Sequence, residues 1–239
     1  GSLLVRVSRN CPWNKCAFCS VYKGEAFSLR TVDEVVADLD AMVAQYGSSV
    51  RTIFLQDANP LLTKPDVLHG ILGAIRTRFP EARRITAYAR SHTLARRSPE
   101  DLRRLREAGL GRLHVGMESG CDAVLEMVRK GTTRAEQIEA GRRAVAAGFE
   151  LSEYWMPGLG GREHTAAHAA DSAAAIREIG PTFVRLRSTA VLRGTPLAAL
   201  RDAGTFTPLG ELEMVDEIRR FLDGLGDLDV RIKSDHVLN

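Results

Sequence analysis

Short apolar runs alternate with amphipathic stretches from one end of the chain to the other, and nothing else in the sequence restricts its architecture as strongly. The runs lie at residues 3–7, 52–56, 85–89, 113–117, 149–155, 183–186 and 230–233. Each is too short for a helix, and the stretches between them carry helix boundaries. Thr31 with Glu34 and Thr133 with Glu136 form the capping-box pattern. Ser98-Pro99 sets an N-cap before a proline at the first helical position, and Gly109, Gly148 and Gly180-Pro181 stand where helices should stop. Two helical patterns, 122–129 and 134–147, share the fourth connection. The prediction is an α/β chain: a partial (β/α)6 TIM-like barrel with an additional C-terminal strand, in one domain spanning 1–239, with no repeat or interdomain linker.

In such a fold, ligands gather where the strands end, because the βα loops converge there. The residues following successive runs fit that rule. They are 9–19, Gln56-Asp57-Ala58-Asn59, Arg90-Ser91-His92, Glu118-Ser119, Met156-Pro157-Gly158, Arg187-Ser188 and Ser234-Asp235-His236.

Composition removes several classes. The 239 residues are 44% hydrophobic and 26% charged, and roughly 70% of the surface of a chain this long can be buried, so no disulfide scaffold is needed. No apolar run reaches a membrane-spanning length and no charged-then-apolar leader opens the sequence, which makes a cytoplasmic location the expectation. The net charge of +3 arises from arginines scattered along the chain with no basic patch, so nucleic acid is not expected as a partner. The chain opens Gly1-Ser2-Leu3 without methionine, as expected for an excised domain whose flanking domains lie elsewhere.

Three of the four cysteines, Cys11, Cys16 and Cys19, fall on the loop after the first run. Such clustering calls for a metal that prefers thiolates, zinc or an iron–sulfur cluster. A structural zinc site wants four protein ligands, yet the remaining thiol, Cys121, is remote and no histidine lies near the loop. Three thiolates suit three irons of a [4Fe–4S] cube, with the fourth iron open to another ligand.

On these residues the chain resembles the radical S-adenosylmethionine superfamily, although four residues separate the first two cysteines where that family has three. Residues 105–131 (with Ala108-Gly109 and Gly116-Met-Glu-Ser-Gly120), 156–161 and Gly194-Thr-Pro-Leu197 are similar to the branch of methylthiotransferases, the elongator catalytic subunit and coproporphyrinogen dehydrogenases. The resemblance implies a [4Fe–4S] cluster on Cys11, Cys16 and Cys19. It also implies S-adenosylmethionine (SAM) on the open iron, cleaved reductively to a 5′-deoxyadenosyl radical. Phe18, before the third cysteine, would contact adenine, as would Met156, Pro157 and Gly158. Gln56 and Asp57 stand where the family has Gly-Gly-Glu and would face the methionine amino group. Arg90 would pair with the methionine carboxylate, and Glu118 and Ser119 would face the ribose hydroxyls. A small-molecule substrate and an electron donor such as flavodoxin or ferredoxin are implied partners. The resemblance leaves open a methyltransferase or decarboxylase acting on a small anion, and a cluster-bearing carrier barrel without SAM cleavage.

Of the remaining candidates, the fourth cysteine and the histidine pair are structural. Cys121 at a helix start reads as an inert buried thiol. His164 and His168, four apart among alanines, lack the glutamate of a zinc protease motif and read as surface residues. Arg185 and Arg187 share one face of their strand, which inside a barrel would meet an anionic substrate, while Asp235 and His236 would close the cavity.

Overall fold

A computed structural model describes residues 1–235. Its strands are β1 (Leu3–Arg6), β2 (Ser8–Arg9), β3 (Ser28–Leu29), β4 (Thr52–Gln56), β5 (Arg84–Ala89), β6 (Leu110–Glu118), β7 (Glu150–Trp155), β8 (Phe183–Leu186) and β9 (Arg231–Lys233). The helices are α1 (Val32–Tyr46), α2 (Pro65–Arg78), α3 (Ser91–Leu94), α4 (Pro99–Glu107), α5 (Asp122–Met127), α6 (Arg134–Ala146), α7 (Gly161–Ile179), α8 (Pro196–Asp202) and α9 (Glu211–Leu225). Seven strands form one parallel sheet in the order β1-β4-β5-β6-β7-β8-β9, and β2 pairs with β3 as a separate antiparallel hairpin. The partial barrel with a C-terminal strand is thus present, and its strands match the seven predicted runs. The largest shift is in β6, which begins at Leu110 immediately after the left-handed Gly109 (φ 103°).

The pleat divides the strands into two faces. Val5, Ile53, Leu55, Ala87, Leu113, Val115, Leu151, Trp155 and Val184 are at most 1% exposed and join the core with the helices. Alternate residues face the other way, and that face is concave. Phe54 on β4 and His114 on β6 have ring centroids 5.7 Å apart although β5 runs between their strands. In a flat sheet those strands would lie about 9.6 Å apart.

Capping follows the sequence with one exception. Thr31 and Glu34 complete their box, and Ser98 accepts from the Asp101 amide. Thr133 accepts from the Glu136 amide, but the Glu136 carboxylate turns to Arg96 and to Thr132 (2.8 Å), so only half of the second box forms. Among the described residues no helix is long and apolar enough to cross a membrane.

Candidate functional site

The cysteine loop is the turn of the β2–β3 hairpin, which was not apparent as strands in the sequence. Asn10 Nδ2 donates to the Ala26 carbonyl (2.6 Å) and Arg9 to Ser28 (3.2 Å) and Glu34 (2.6 Å), closing the loop at its base. Its far side is fastened to the connection after β6. Trp13 Nε1 donates to the Arg129 carbonyl at 2.7 Å, and the Ala17 amide to the Val128 carbonyl at 2.8 Å. Gly131, at φ 71°, is required there, because a Cβ would run into the Trp13 ring.

All five non-glycine residues with positive φ among the described residues belong to this neighbourhood: Asn10, Asn14, Asp57, Glu118 and Arg129. Such conformations cost on the order of 1–3 kcal/mol each and persist where surrounding contacts over-determine them.

Cys11, Cys16 and Cys19 are free and partly exposed. Burial pushes the Cys16 thiol up, Lys130 and Arg90 pull it down, and Cys11 and Glu118 act with burial. Tyr22 on the same loop is pushed up by burial and feels Asp57, Cys11, Tyr88 and Cys19, so the thiols, the end of β4 and the concave face share one neighbourhood. No three His, Cys, Asp or Glu side chains among the described residues surround a single-ion position. The donor set is three soft thiols with no fourth protein ligand beside them. It fits a cube that takes one thiolate per iron better than a tetrahedral zinc.

The other predicted residues ring this loop. Phe18 packs at its end, with the Lys130 ammonium 5.9 Å from the ring centre. Gln56 ends β4 half-buried, and Asp57 lies 2.9 Å from Arg6 Nε. Burial pushes the Asp57 carboxyl up against the opposing pull of Arg6. Arg90 lies over the Trp13 ring at 5.3 Å and donates from Nη2 to the Lys130 carbonyl (3.1 Å). Glu118 accepts from Lys130 Nζ at 2.9 Å through one oxygen. Both side chains fold over Gly116, where a Cβ would strike them. Lys130 was not singled out in the sequence; its signal was the Lys-Gly step closing the connection after α5.

Ser119 and His168 depart from expectation. Ser119 is 0% exposed, accepts from the Cys121 amide at 3.0 Å and lies 2.8 Å from His168 Nδ1, so its hydroxyl faces α7 and not the concave face. His168 is no surface residue: it too is 0% exposed, stacked on Trp155. Its Nε2 lies 2.9 Å from the Met156 carbonyl, which can only accept, so Nε2 carries the proton and Nδ1 accepts from Ser119. Burial holds the ring neutral, with its pKa at about 4. His168 thereby ties the end of β6 to the end of β7.

The Met156 amide donates to the Glu118 carbonyl (3.0 Å), the Pro157 carbonyl accepts from Thr189 (2.9 Å), and the Gly158 amide donates to buried Glu217 Oε1 (2.6 Å). Cys121 is 5% exposed in the apolar cluster with Val124, Leu159 and Phe206, as a small hydrophobe. Arg185 points to the concave face but is bound to Asp235 at 2.9 Å; His236 lies outside the described residues.

Comparison with known proteins fits this geometry. The sequence profile of the Radical SAM superfamily matches residues 5–176. The anaerobic magnesium-protoporphyrin IX monomethyl ester cyclase of Cereibacter sphaeroides is 28% identical over 154 residues, covering 64% of this chain and 24% of the cyclase. Coproporphyrinogen III oxidase from Escherichia coli superposes with a TM-score of 0.71 at 20% identity, over 94% of this chain and 52% of that one. The radical SAM methyltransferase TsrM from Kitasatospora setae, solved with cobalamin and a [4Fe–4S] cluster, gives 0.67 at 19% identity, over 88% and 39%. The chain spans about a quarter of the curated relative it matches.

Proposed function

The chain belongs to the radical SAM superfamily, and on that premise we propose that it cleaves S-adenosylmethionine reductively to begin a radical reaction on a small molecule. Enzymes of this superfamily bind a [4Fe–4S] cluster and SAM, and these are the cofactors of this enzyme. Held by Cys11, Cys16 and Cys19, such a cluster would supply the single electron for reductive cleavage of SAM. The observation that carries the reading is the loop of three thiols pinned across the strand ends beside Arg90, Glu118 and Lys130.

In this reading Cys11, Cys16 and Cys19 hold the cluster and the remaining residues hold SAM. Lys130 occupies one oxygen of Glu118 and leaves the other to accept from the ribose hydroxyls. Arg90, with one Nη2 donor on the Lys130 carbonyl, turns further donors to the methionine carboxylate. Gln56 and Asp57 accept from the methionine ammonium, Asp57 keeping Arg6 as its other partner. Phe18 and the backbone at Met156, Pro157 and Gly158 flank adenine. Ser119 positions this set through His168 and does not touch the ribose.

An electron donor of the flavodoxin or ferredoxin kind and a cytoplasmic setting complete the proposal. It is tested by anaerobic reconstitution with iron and sulfide, reduction with dithionite, and quantification of 5′-deoxyadenosine formed from SAM, beside Cys16→Ala. Product that disappears in the variant supports the reading. A chain that holds four irons and forms none is a carrier barrel.

A further inference from the structure

A TIM barrel ordinarily fills its interior with layers of buried side chains. Here the inward residues Phe54, Tyr88 and Tyr154 remain partly exposed, whereas their outward neighbours Leu55, Ala87 and Trp155 are sealed. The concave face is therefore an open wall, and it is aromatic. Phe54 meets Tyr88 edge-on at 4.8 Å, His114 lies 6.0 Å from Tyr88, and Tyr154 lies 5.9 Å from His114 and 6.4 Å from Tyr88. The wall adjoins the cysteine loop: Tyr88 on β5 is followed two residues later by Arg90, whose guanidinium lies 5.3 Å from the Trp13 ring of that loop.

Two polar groups on this wall lack partners. His114 Nδ1 and Ser152 Oγ, adjacent in the β6–β7 register, are buried without a hydrogen bond, at 7% and 0% residue exposure. Buried polar atoms are nearly always satisfied, so an orphaned pair on an open face points to a ligand.

The rim beyond the rings is cationic. Arg185 stands beside Tyr154 in the register and Lys233 beside Arg185. The nearby acids are committed, Glu150 to Arg112 at 2.8 Å and Asp235 to Arg185 at 2.9 Å. Arg187, one residue beyond β8 and two beyond Arg185, is exposed, and among the described residues makes no side-chain hydrogen bond or ion pair. One layer below, guanidinium and ring already stack: Arg112 and Arg231 lie 4.6 Å and 5.7 Å from the Phe183 ring centre.

We propose that this wall is the substrate pocket and takes a flat aromatic carboxylic acid, its ring on Tyr88 and Tyr154 and its carboxylate on Arg187 with Arg185. The assignment rests on the cofactor reading above and names the substrate class of that same site. An aliphatic acid would forfeit the ring contacts, and an aromatic cation would meet the arginines.

The test is equilibrium dialysis of the reconstituted, SAM-loaded protein against 2-naphthoate, cyclohexanecarboxylate and 2-naphthylmethylammonium. Naphthoate is expected to bind at least tenfold more tightly than either of the others. Arg187→Gln is expected to weaken it about tenfold, Tyr154→Leu similarly, and Tyr154→Phe is expected to restore it, with circular dichroism establishing that each variant is folded. Equal affinities across the three probes, no naphthoate binding, or folded Arg187→Gln and Tyr154→Leu that bind like the parent would overturn the proposal. The 5′-deoxyadenosine assay on the same preparation separates the two readings. Radical chemistry without naphthoate preference defeats this inference alone, and naphthoate preference without radical chemistry defeats the cofactor reading alone.

Discussion

Ser119 Oγ and His168 Nδ1 lie 2.8 Å apart with neither residue exposed, and this contact joins the end of β6 to the middle of α7. Through the Met156 carbonyl the same ring reaches the end of β7. One neutral imidazole therefore sets the spacing of two segments proposed to hold SAM. His168→Gln is expected to weaken SAM binding to the oxidised, cluster-loaded protein about tenfold, read by equilibrium dialysis. An unchanged affinity would leave His168 a packing residue only.

The same histidine makes stability depend on pH. Burial lowers His168 and His114 to about 4 in the fold, against an ordinary value of about 6.5. Between those values the unfolded chain binds the proton and the folded chain does not. Each contribution is full above about pH 6.5 and is lost as pH falls toward 4, by at most about 3 kcal/mol per ring. Urea unfolding between pH 7.5 and 4.5 is expected to show a shallower decline in His168→Gln than in the parent; identical slopes would contradict the buried neutral ring.

Lys130 and Glu118 form a largely buried ion pair, with side chains 11% and 13% exposed. Removing one partner strands the other charge, a loss on the order of 3 kcal/mol. Lys130→Met is expected to lower the melting temperature more than the double variant Lys130→Met/Glu118→Gln does. A double-mutant cycle of thermal unfolding with no coupling would refute the pair's role.

Gly131 admits the Trp13 ring at a left-handed backbone position. Gly131→Ala adds strain of about 1–2 kcal/mol and displaces Trp13 from the Arg129 carbonyl. The loosened loop is expected to surrender iron faster to a chelator, followed by the decay of absorbance near 400 nm. Parent-like retention would show that Trp13 does not anchor the loop.

Cys121 differs from the loop thiols by its apolar surroundings. Cys121→Ala is expected to keep the parent's iron content after reconstitution, while Cys11→Ala, Cys16→Ala and Cys19→Ala each lose most of it. A fall in iron for Cys121→Ala would make it a fourth ligand.

The sequence by itself determined the seven parallel strands, most helix boundaries and the presence of a thiol loop after the first apolar run. Those are local signals: short apolar runs such as 3–7 and 52–56, a capping threonine at Thr31, a helix stop at Gly180, and three thiols on one loop. What it left undecided depends on which distant segments meet. α7 is rich in alanine, so its inward stripe of His168, Ser172 and Ile176 carries little apolar contrast, and only its packing against Trp155, Ser119 and α9 showed His168 to be buried. The Ser119 hydroxyl follows that histidine and not its strand. Lys130 reaches Glu118 because Gly116 leaves room for both, and Arg185 meets Asp235 because β9 lies beside β8. Each is a contact between residues whose own neighbours in sequence are indifferent to it, and so it was settled by tertiary structure alone.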